Sequence, residues 1–440
     1  MKITYIVPGF GGSFYCGNCL RDSAFSKALK EQGHDSVTLP LYLPHSIEAF
    51  AHQTDVPVFY GAVNIYLKQN FKLFRKMPKF LYKFFNSPII LKYAARKSGS
   101  TRAEGLEEMT ISMLKGADGY QKEELDQLIY FLKHHEKPDV VHLSNALLIG
   151  LAAKIKEELN VPVFCTLQDE DVWINAMHEE YKPKLWALMS EKAKDVDVFI
   201  AVSNYFKEVM QKNMNIPEVK MHIVHLGVDP EMYSSHFPAQ NPSAIGFLSR
   251  LNKENGLEIL VDAFIKLKKK PEFANHRLLL TGGKTTDDNS FINKQIRKLK
   301  KNKVLQYVDF INDFRTSELN VFFKKLSVLC VPVIKGEAFG LYLLEALASG
   351  IPVVQPNLAA FPEIIATSKA GVVFHPNTSD ALAEKLAEVL SNTDGLNEMS
   401  LNGRIAVEEK FNLKKSTEKL VEIYQKHVII KNAEKILISD

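Results

Sequence analysis

The stretch Ser327-Val-Leu-Cys-Val-Pro-Val-Ile-Lys-Gly-Glu-Ala-Phe-Gly-Leu-Tyr-Leu-Leu-Glu-Ala-Leu-Ala-Ser-Gly-Ile-Pro-Val-Val354 changes its hydrophobic pattern twice. Its beginning, up to residue 334, is apolar and rich in β-branched side chains, which is typical of a buried strand. From residue 341 the apolar residues recur with helical spacing as far as Gly350, a plausible helix stop. Residues 351–354 are again typical of a buried strand. A strand, a loop, a helix and a strand in this order predict an α/β domain with a parallel sheet.

Two carboxylates frame the predicted helix: Glu337 lies in the loop before it and Glu345 lies inside it. Eight residues of helix span about 12 Å. A nucleotide sugar carries a hexose and a ribose at its two ends, so two acceptors at this separation would reach hydroxyls at both. Gly340 would let the backbone approach the diphosphate at the helix N-terminus, where N–H groups and the helix dipole favour anions. The alternative is a core helix with one partly buried glutamate and one loop glutamate.

The spacing Glu337-x7-Glu345, followed by Gly350-Ile-Pro-Val-Val and Phe361-Pro-Glu-Ile-Ile, resembles the family 4 retaining glycosyltransferases. The resemblance implies the GT-B fold, in which two Rossmann-like α/β domains face each other across a cleft. It also implies a hexosyltransferase of carbohydrate biosynthesis that moves a sugar from a nucleotide-sugar donor to an acceptor hydroxyl with retention. The family works without a metal, so neither a metal nor another cofactor is expected, and the base of the donor is left open.

The same resemblance assigns roles to individual residues. Glu337 would orient the donor sugar, Glu345 would bind the ribose, and Arg250 would neutralise the diphosphate. Many family members have a histidine where this sequence has Gln168, which can hydrogen-bond a sugar hydroxyl but cannot carry a proton. The catalytic residues are therefore expected to be Glu337, Arg250 and Gln168. The residues expected to bind the donor are Gly11, Gly12, Lys253, Asn255, Gly282, Phe339, Gly340, Leu341 and Glu345.

One departure from the family pattern concerns the cations of the donor site. The family usually places a lysine five residues after the arginine, whereas this sequence has Asn255 there and Lys253 two residues earlier. Asparagine donates hydrogen bonds but brings no charge. Either Lys253 reaches the diphosphate, or Arg250 and helix N-termini carry its charge alone.

Three parts of the chain are predicted. Residues 1–240 form an acceptor-side α/β domain whose strand patterns include 3–7, 36–41, 139–143, 161–166 and 198–202. A linker at 238–243 leads to the nucleotide-sugar-binding domain, 241–412. A last helix, 413–440, is expected by resemblance to pack back on the first domain.

Composition is ordinary for a globular protein: 440 residues, 46% of them apolar, with a net charge of +4. This charge does not suggest nucleic acid as a partner, and a glycan or a lipid-linked acceptor is expected instead. The chain has no signal-peptide pattern, and no apolar run reaches the roughly 18 residues of a membrane span. A cytoplasmic location is expected, with the inner face of the membrane as the more specific alternative.

Cys16 and Cys19 form a C-x-x-C pair between a predicted strand and helix, and they leave a redox function open. The preferred interpretation is a loop that carries two thiols; the alternative is a dithiol oxidoreductase. The main alternative to the transferase is a non-catalytic sugar-nucleotide-binding or scaffold protein on the same fold, which the replacements at Gln168 and Asn255 leave open.

Residues 56–103 form an unusual insertion with ten Lys or Arg residues, many aromatic residues and no Asp or Glu. A basic, aromatic, amphipathic segment suits an anionic membrane surface or a charged acceptor. The alternative is a lid whose aromatic residues belong to the core and whose lysines are solvated. The family pattern does not include this segment.

The membrane alternative predicts weak, salt-dependent binding to anionic vesicles, since each lysine near such a surface contributes about 1 kcal/mol. Cosedimentation with anionic liposomes would measure it, with Lys72, Arg75, Lys76 and Lys79 changed to Ser as the comparison. If the unmutated protein fails to bind even at low salt, only the lid remains.

Overall fold

The computed structural model describes residues 1–9, 14–42, 103–239 and 243–439. The expectations for Gly11, Gly12 and residues 56–102 therefore lie outside the described residues. The chain divides into two compact units. The first comprises Met1–Gly12, Cys19–Val224 and Thr417–Asp440, and the second comprises Ser13–Asn18 and His225–Ser416.

The first unit contains a six-stranded sheet in the order β2-β1-β3-β4-β5-β6, in which every neighbouring pair is parallel. The near-continuous apolar runs of its strands fit a sheet that is covered on both faces. The strands are β1 (Lys2–Val7), β2 (Asp35–Pro40), β3 (Val140–Leu143), β4 (Val163–Leu167), β5 (Val198–Ala201) and β6 (Met221–Ile223). The helices that alternate with them are α1 (Gly17–Glu31), α2 (Glu107–Leu114), α3 (Lys122–Phe131), α4 (Ala152–Leu159), α5 (Glu170–Asn175), α6 (Lys182–Lys192) and α7 (Asn204–Met214).

The second unit repeats this architecture with the strand order β12-β11-β10-β7-β8-β9, again parallel throughout. Its strands are β7 (Ala244–Leu248), β8 (Arg277–Thr281), β9 (Val308–Phe310), β10 (Val328–Leu329), β11 (Val353–Pro356) and β12 (Gly371–Phe374). Its helices are α8 (Leu257–Leu267), α9 (Asn289–Lys301), α10 (Thr316–Phe323), α11 (Leu341–Ala348), α12 (Phe361–Ser368), α13 (Ser379–Leu390) and α14 (Thr393–Glu409). The prediction of two parallel α/β sheets is confirmed.

The last helix, α15 (Leu413–Ser439), contributes to the core of the first unit from Thr417 onward. Tyr424 is fully buried there and donates a hydrogen bond of 3.1 Å to the hydroxyl of Tyr5. Its hydroxyl also lies at Nδ1 of His142, whose Nε2 is 2.7 Å from the Thr166 hydroxyl. This buried polar chain links the helix to three neighbouring strands, because buried polar groups are stable only when they are hydrogen-bonded.

The predicted strand 327–334 is much shorter in the structure than its apolar pattern suggests. Only Val328–Leu329 joins the ladder, and Cys330 adds one further N–H bond to the carbonyl of Gly246 at 2.9 Å. Pro332 has no N–H to continue the ladder, and the strand ends three residues before it, at Leu329. The helix that follows has the predicted bounds, Leu341–Ala348.

The change between the units lies between Val224 and His225, earlier than the linker predicted at 238–243. The chain after His225 already packs on the second unit. His236 N–H bonds the carbonyl of Ser349 at 3.0 Å, and Ala239 N–H bonds that of Leu326 at 2.8 Å. Backbone hydrogen bonds thus help to place this segment in the second unit, which its composition did not indicate.

Substitution of Gly256, which precedes α8, would measure how tightly the second unit is packed at this point. Its φ is +78°, and a Cβ there would lie 1.8 Å from the carbonyl oxygen of Pro332. Gly256→Ala should lower the free energy of unfolding by about 2 kcal/mol or more, because backbone strain and a steric clash add together. Gly33 is a matched control, since its φ is +81° and a Cβ there would meet no atom within 4 Å. Gly33→Ala should cost only about 1 kcal/mol in urea unfolding. Equal losses in the two variants would contradict the clash.

Candidate functional site

The sheet of the second unit reverses its strand order at β7. The next strand along the chain, β8, pairs on one side of β7, and β10 pairs on the other side. In parallel α/β sheets, ligands bind beyond the carboxyl ends of the strands at such a reversal. Arg250 follows β7, and the loop with Glu337 follows β10 and leads into α11. The sequence-predicted residues of this unit therefore follow strands that meet at one edge of the sheet.

Arg250 is held in a fixed orientation by its neighbours. Its Nε donates to Asp288 at 2.8 Å, and its Nη2 donates to the Thr285 hydroxyl at 2.7 Å. The guanidinium carbon lies 5.1 Å from the centre of the Phe14 ring, within cation–π distance. Burial opposes ionisation of Asp288, but hydrogen bonds from Arg250 and Thr285 hold its pKa below the usual value. The charge of Arg250 is thus partly balanced by a carboxylate that the sequence did not indicate.

Asn255 stabilises the loop that carries Arg250. Its Nδ2 donates to the Ser249 hydroxyl at 2.7 Å and to the Arg250 carbonyl at 3.0 Å. Both amide hydrogens are therefore used inside the loop, and donor binding by Asn255 stays a prediction. Lys253 is exposed and forms no ion pair with any residue that the structure describes.

Two glycines at this edge have backbone conformations that other residues rarely adopt. Gly282 has φ +116°, and a Cβ there would lie 2.3 Å from the carbonyl oxygen of Ser249. Gly340 has φ +95° and immediately precedes α11. A Cβ on Gly340 would lie 3.3 Å from Oε2 of Glu337, so that carboxylate lies beside the start of the helix.

Phe339 and Leu341 flank Gly340, and both side chains belong to the core. The ring of Phe339 is 2% exposed and lies 6.0 Å from the ring of His225 and 5.9 Å from that of Phe411. Leu341 is 7% exposed. Only the backbone of these two residues is therefore left to contact a ligand at the helix start.

Glu345 is buried, and both of its oxygens are hydrogen-bonded. Tyr15 donates to Oε2 at 2.6 Å, and Tyr233 donates to Oε1 at 2.9 Å. Burial raises the pKa of Glu345 to about 7, although both hydroxyl donors act against this rise. Sequence analysis missed Tyr15 and Tyr233, because they lie 330 and 112 residues from Glu345.

Gln168 lies in the first unit at the carboxyl end of β4. Its Nε2 donates to the Ser144 carbonyl at 2.8 Å, and a bond of 3.2 Å from Arg21 reaches the same oxygen. Its Oε1 is buried and has no partner among the residues described. Glu170 accepts the N–H of Gln168 and that of Ala146, so this carboxyl group joins the loops after β3 and β4. Burial raises the pKa of Glu170 to about 8, although the N–H bonds that this carboxyl group accepts lower its pKa.

The four cysteines fall into two pairs with different chemistry. Cys16 and Cys19 are disulfide-bonded, whereas Cys165 and Cys330 are free and fully buried. The preferred interpretation of Cys16 and Cys19 as two thiols is therefore wrong. Burial raises the pKa of each free thiol well above the usual value for cysteine.

Two family models match the chain over adjoining regions. One is described as glycosyl transferases group 1 and matches residues 229–406; the other is described as glycosyltransferase family 4 and matches residues 119–232. The chain belongs to the family 4 glycosyltransferases. It is similar to an uncharacterized glycosyltransferase of Methanocaldococcus jannaschii, with 22% identity over 304 residues, 66% of this chain and 76% of that protein.

Solved structures show the GT-B fold for this glycosyltransferase. A sucrose-phosphate synthase from Thermosynechococcus elongatus has a TM-score of 0.70 at 15% identity, covering 97% of this chain and 99% of that one. HepE of Anabaena, solved with UDP, has a TM-score of 0.70 at 14% identity, and the match covers 97% of this chain and 100% of that one. HepE was also solved with UDP-glucose.

Metal clusters and membrane spans are both absent from the part of the chain that the structure describes. Those residues contain no group of three or more His, Cys, Asp or Glu residues that could hold a metal ion. No helix within the same ranges is long and apolar enough to span a bilayer.

The partly buried ion pair between Arg250 and Asp288 predicts a measurable effect on stability. The two side chains are 15% and 7% exposed, so Asp288→Asn leaves a poorly solvated cation and should cost about 1–3 kcal/mol in urea unfolding. Asp309 is the matched control, since it binds Arg277 through a similar pair whose side chains are 47% and 33% exposed. Asp309→Asn should cost less than about 1 kcal/mol. Similar losses in both variants would show that burial of the Arg250 pair adds nothing.

Proposed function

We propose that this glycosyltransferase takes a sugar from a nucleotide-sugar donor and transfers it to an acceptor hydroxyl with retention, without a metal. The observation that carries the proposal is the edge where β7 and β10 end. There, the loop with Arg250 and the start of α11 beside Glu337 follow neighbouring strands of one sheet. The UDP and UDP-glucose complexes of HepE support a nucleotide sugar as the donor class.

The donor would lie with its diphosphate at the start of α11. The positive end of the helix dipole and the cation of Arg250 would stabilise negative charge there. Gly340 carries no side chain of its own, and a glycine at this position lets the backbone approach a ligand closely. Glu345 would bind the ribose and Glu337 the sugar, as the resemblance to the family implies. Lys253 is exposed and would add a second positive charge from the loop.

Transfer would break the bond between the anomeric carbon and the diphosphate oxygen, and it would form a bond from that carbon to the acceptor oxygen. The leaving phosphate oxygen would accept the acceptor proton, so no separate protein base is required. Catalysis would then come mainly from positioning and from stabilisation of the departing diphosphate.

Gln168, a residue of the first unit, would bind a sugar hydroxyl. Its buried Oε1 has no partner in the described structure and can accept a hydrogen bond, whereas its Nε2 is already bonded to Ser144. Gln168 is thus suited to orient the sugar and not to transfer a proton. The acceptor is proposed to be a glycan or a lipid-linked sugar, presented at the inner face of the membrane if the basic segment binds lipid.

Donor turnover tests the proposal directly. The purified protein would be incubated with UDP-, GDP- and ADP-sugars, with and without acceptor extracts, and the release of nucleoside diphosphate would be measured. We expect turnover with the sugars of one nucleotide base, and no loss of activity in EDTA. The anomeric configuration of the product, seen by NMR, should match that of the donor sugar. Inversion would exclude retention, loss of activity in EDTA would exclude metal independence, and inactivity with every nucleotide sugar would exclude the donor class.

The two cations predict different kinetic effects. Arg250→Ala should lower kcat/KM by roughly 10²–10³, because one well-placed donor to developing charge is lost. Lys253→Ala should cost clearly less, since Lys253 is exposed and unrestrained. Steady-state kinetics would measure both changes. Thermal unfolding of Arg250→Ala, compared with Asp288→Asn, separates lost catalysis from a disturbed ion pair. A near-normal kcat/KM in Arg250→Ala would contradict its role at the diphosphate.

A further inference from the structure

Residues 14–18 join β1 to α1 in sequence, yet they pack on the second unit. Phe14 forms an antiparallel bridge with Gly283, and the N–H of Tyr15 donates to the carbonyl of Gly282 at 2.7 Å. A Cβ built on Gly17 would lie 3.4 Å from Cβ of Leu341. The segment therefore runs from the end of β8 to the start of α11.

Tyr15 places its hydroxyl where the ribose of the donor is proposed to bind. The hydroxyl is 2.6 Å from Oε2 of Glu345, and Tyr233 occupies the other oxygen at 2.9 Å. Tyr15, Glu345 and Tyr233 are 5%, 3% and 8% exposed. A ribose hydroxyl can reach this carboxyl group only after one of the two tyrosines has left.

The two tyrosines are attached to the unit in different ways. Tyr233 follows a short turn within the unit, and its carbonyl accepts a hydrogen bond from Arg404 at 3.2 Å. Tyr15 belongs to a segment that reaches the unit from a distant part of the sequence, and its described backbone contacts there are with the loop after β8. Tyr15 is therefore the partner that can be withdrawn while the fold of the second unit is kept.

Phe14 lies against Arg250, the second group that is proposed to bind the donor. Its ring lies 5.1 Å from the guanidinium carbon of Arg250, the cation proposed for the diphosphate. One short segment thus contacts Arg250, Gly282 and Glu345 and passes close to Leu341. All four were predicted to bind the donor from the sequence.

We propose that residues 14–18 form a plug that occupies the nucleotide-binding face of the second unit, and that a nucleoside diphosphate binds by displacing it. This inference rests on the proposed nucleotide-sugar donor. The Tyr15 hydroxyl takes the place of a ribose hydroxyl on Glu345, and the Phe14 ring lies over the diphosphate cation. The plugged state lowers the apparent affinity for nucleotide by the fraction of molecules in which the face is open.

Tyr15→Phe tests the plug because it removes only the hydroxyl bonded to Glu345. Isothermal titration calorimetry with UDP, GDP and ADP would compare this variant with the wild type. We expect the preferred diphosphate to bind about tenfold more tightly to Tyr15→Phe, the effect of one lost hydrogen bond to a carboxylate. Tyr233→Phe is the matched control, since it removes the other hydroxyl from the same carboxyl group without touching the segment. It should not tighten binding.

Each calorimetric outcome has one meaning. Unchanged or weaker binding by Tyr15→Phe would overturn the plug, because Tyr15 would then be neutral or part of the nucleotide site. Equal tightening in Tyr233→Phe would also overturn it, because the effect would come from the released carboxyl group and not from the segment. If neither the wild type nor any variant binds a diphosphate, the proposed donor fails and the plug fails with it.

Amide hydrogen exchange of the wild type provides a second measurement that needs no substitution. The N–H of Tyr15 is bonded to Gly282, so the peptide that contains it should be protected in the free protein. Saturating nucleotide should increase its exchange while the start of α11 becomes better protected. Increased protection of both peptides would show that the segment closes over the nucleotide, which would overturn the plug.

Discussion

A carboxyl group inside an apolar helix must be hydrogen-bonded, and this requirement at Glu345 organises the second unit. The residues next to Glu345 in α11, Leu344 and Ala346, are apolar and buried. Tyr15 and Tyr233 provide the hydroxyls, and each brings a different part of the chain to the helix. The residues around the domain boundary thus belong to the second unit because a buried polar group needs them.

The backbone at the start of α11 provides the other half of the site. Gly340 lets the helix begin beside Glu337, and Gly282 lets the loop after β8 approach Ser249. Both positions have positive φ, and a side chain at Gly282 would also clash with the Ser249 carbonyl oxygen. The anion binding proposed for the helix start would therefore depend on glycine backbone, because the side chains of Phe339 and Leu341 are buried in the core.

The local parts of this structure were predictable, and the long-range pairs were not. Helix α11 has the predicted bounds, because the hydrophobic spacing that marks a helix and the glycine that stops it, Gly350, both lie within or next to it in the sequence. The Asp288 partner of Arg250 lies 38 residues away, and no local pattern marks it. The linker prediction failed for the same reason, since composition describes a segment but not the carbonyls that its N–H groups reach. Asn255 was given to the donor by analogy, whereas its amide bonds hold its own loop together.

The oxidation state of the cysteines gives the chain a site for selective labelling. Cys165 and Cys330 are fully buried within the two sheets, and Cys16 and Cys19 are disulfide-bonded, so the native protein offers no exposed thiol to an alkylating reagent. Mild reduction would expose thiols only next to Tyr15. A fluorophore attached there would report on the segment between β1 and α1 without any engineered cysteine.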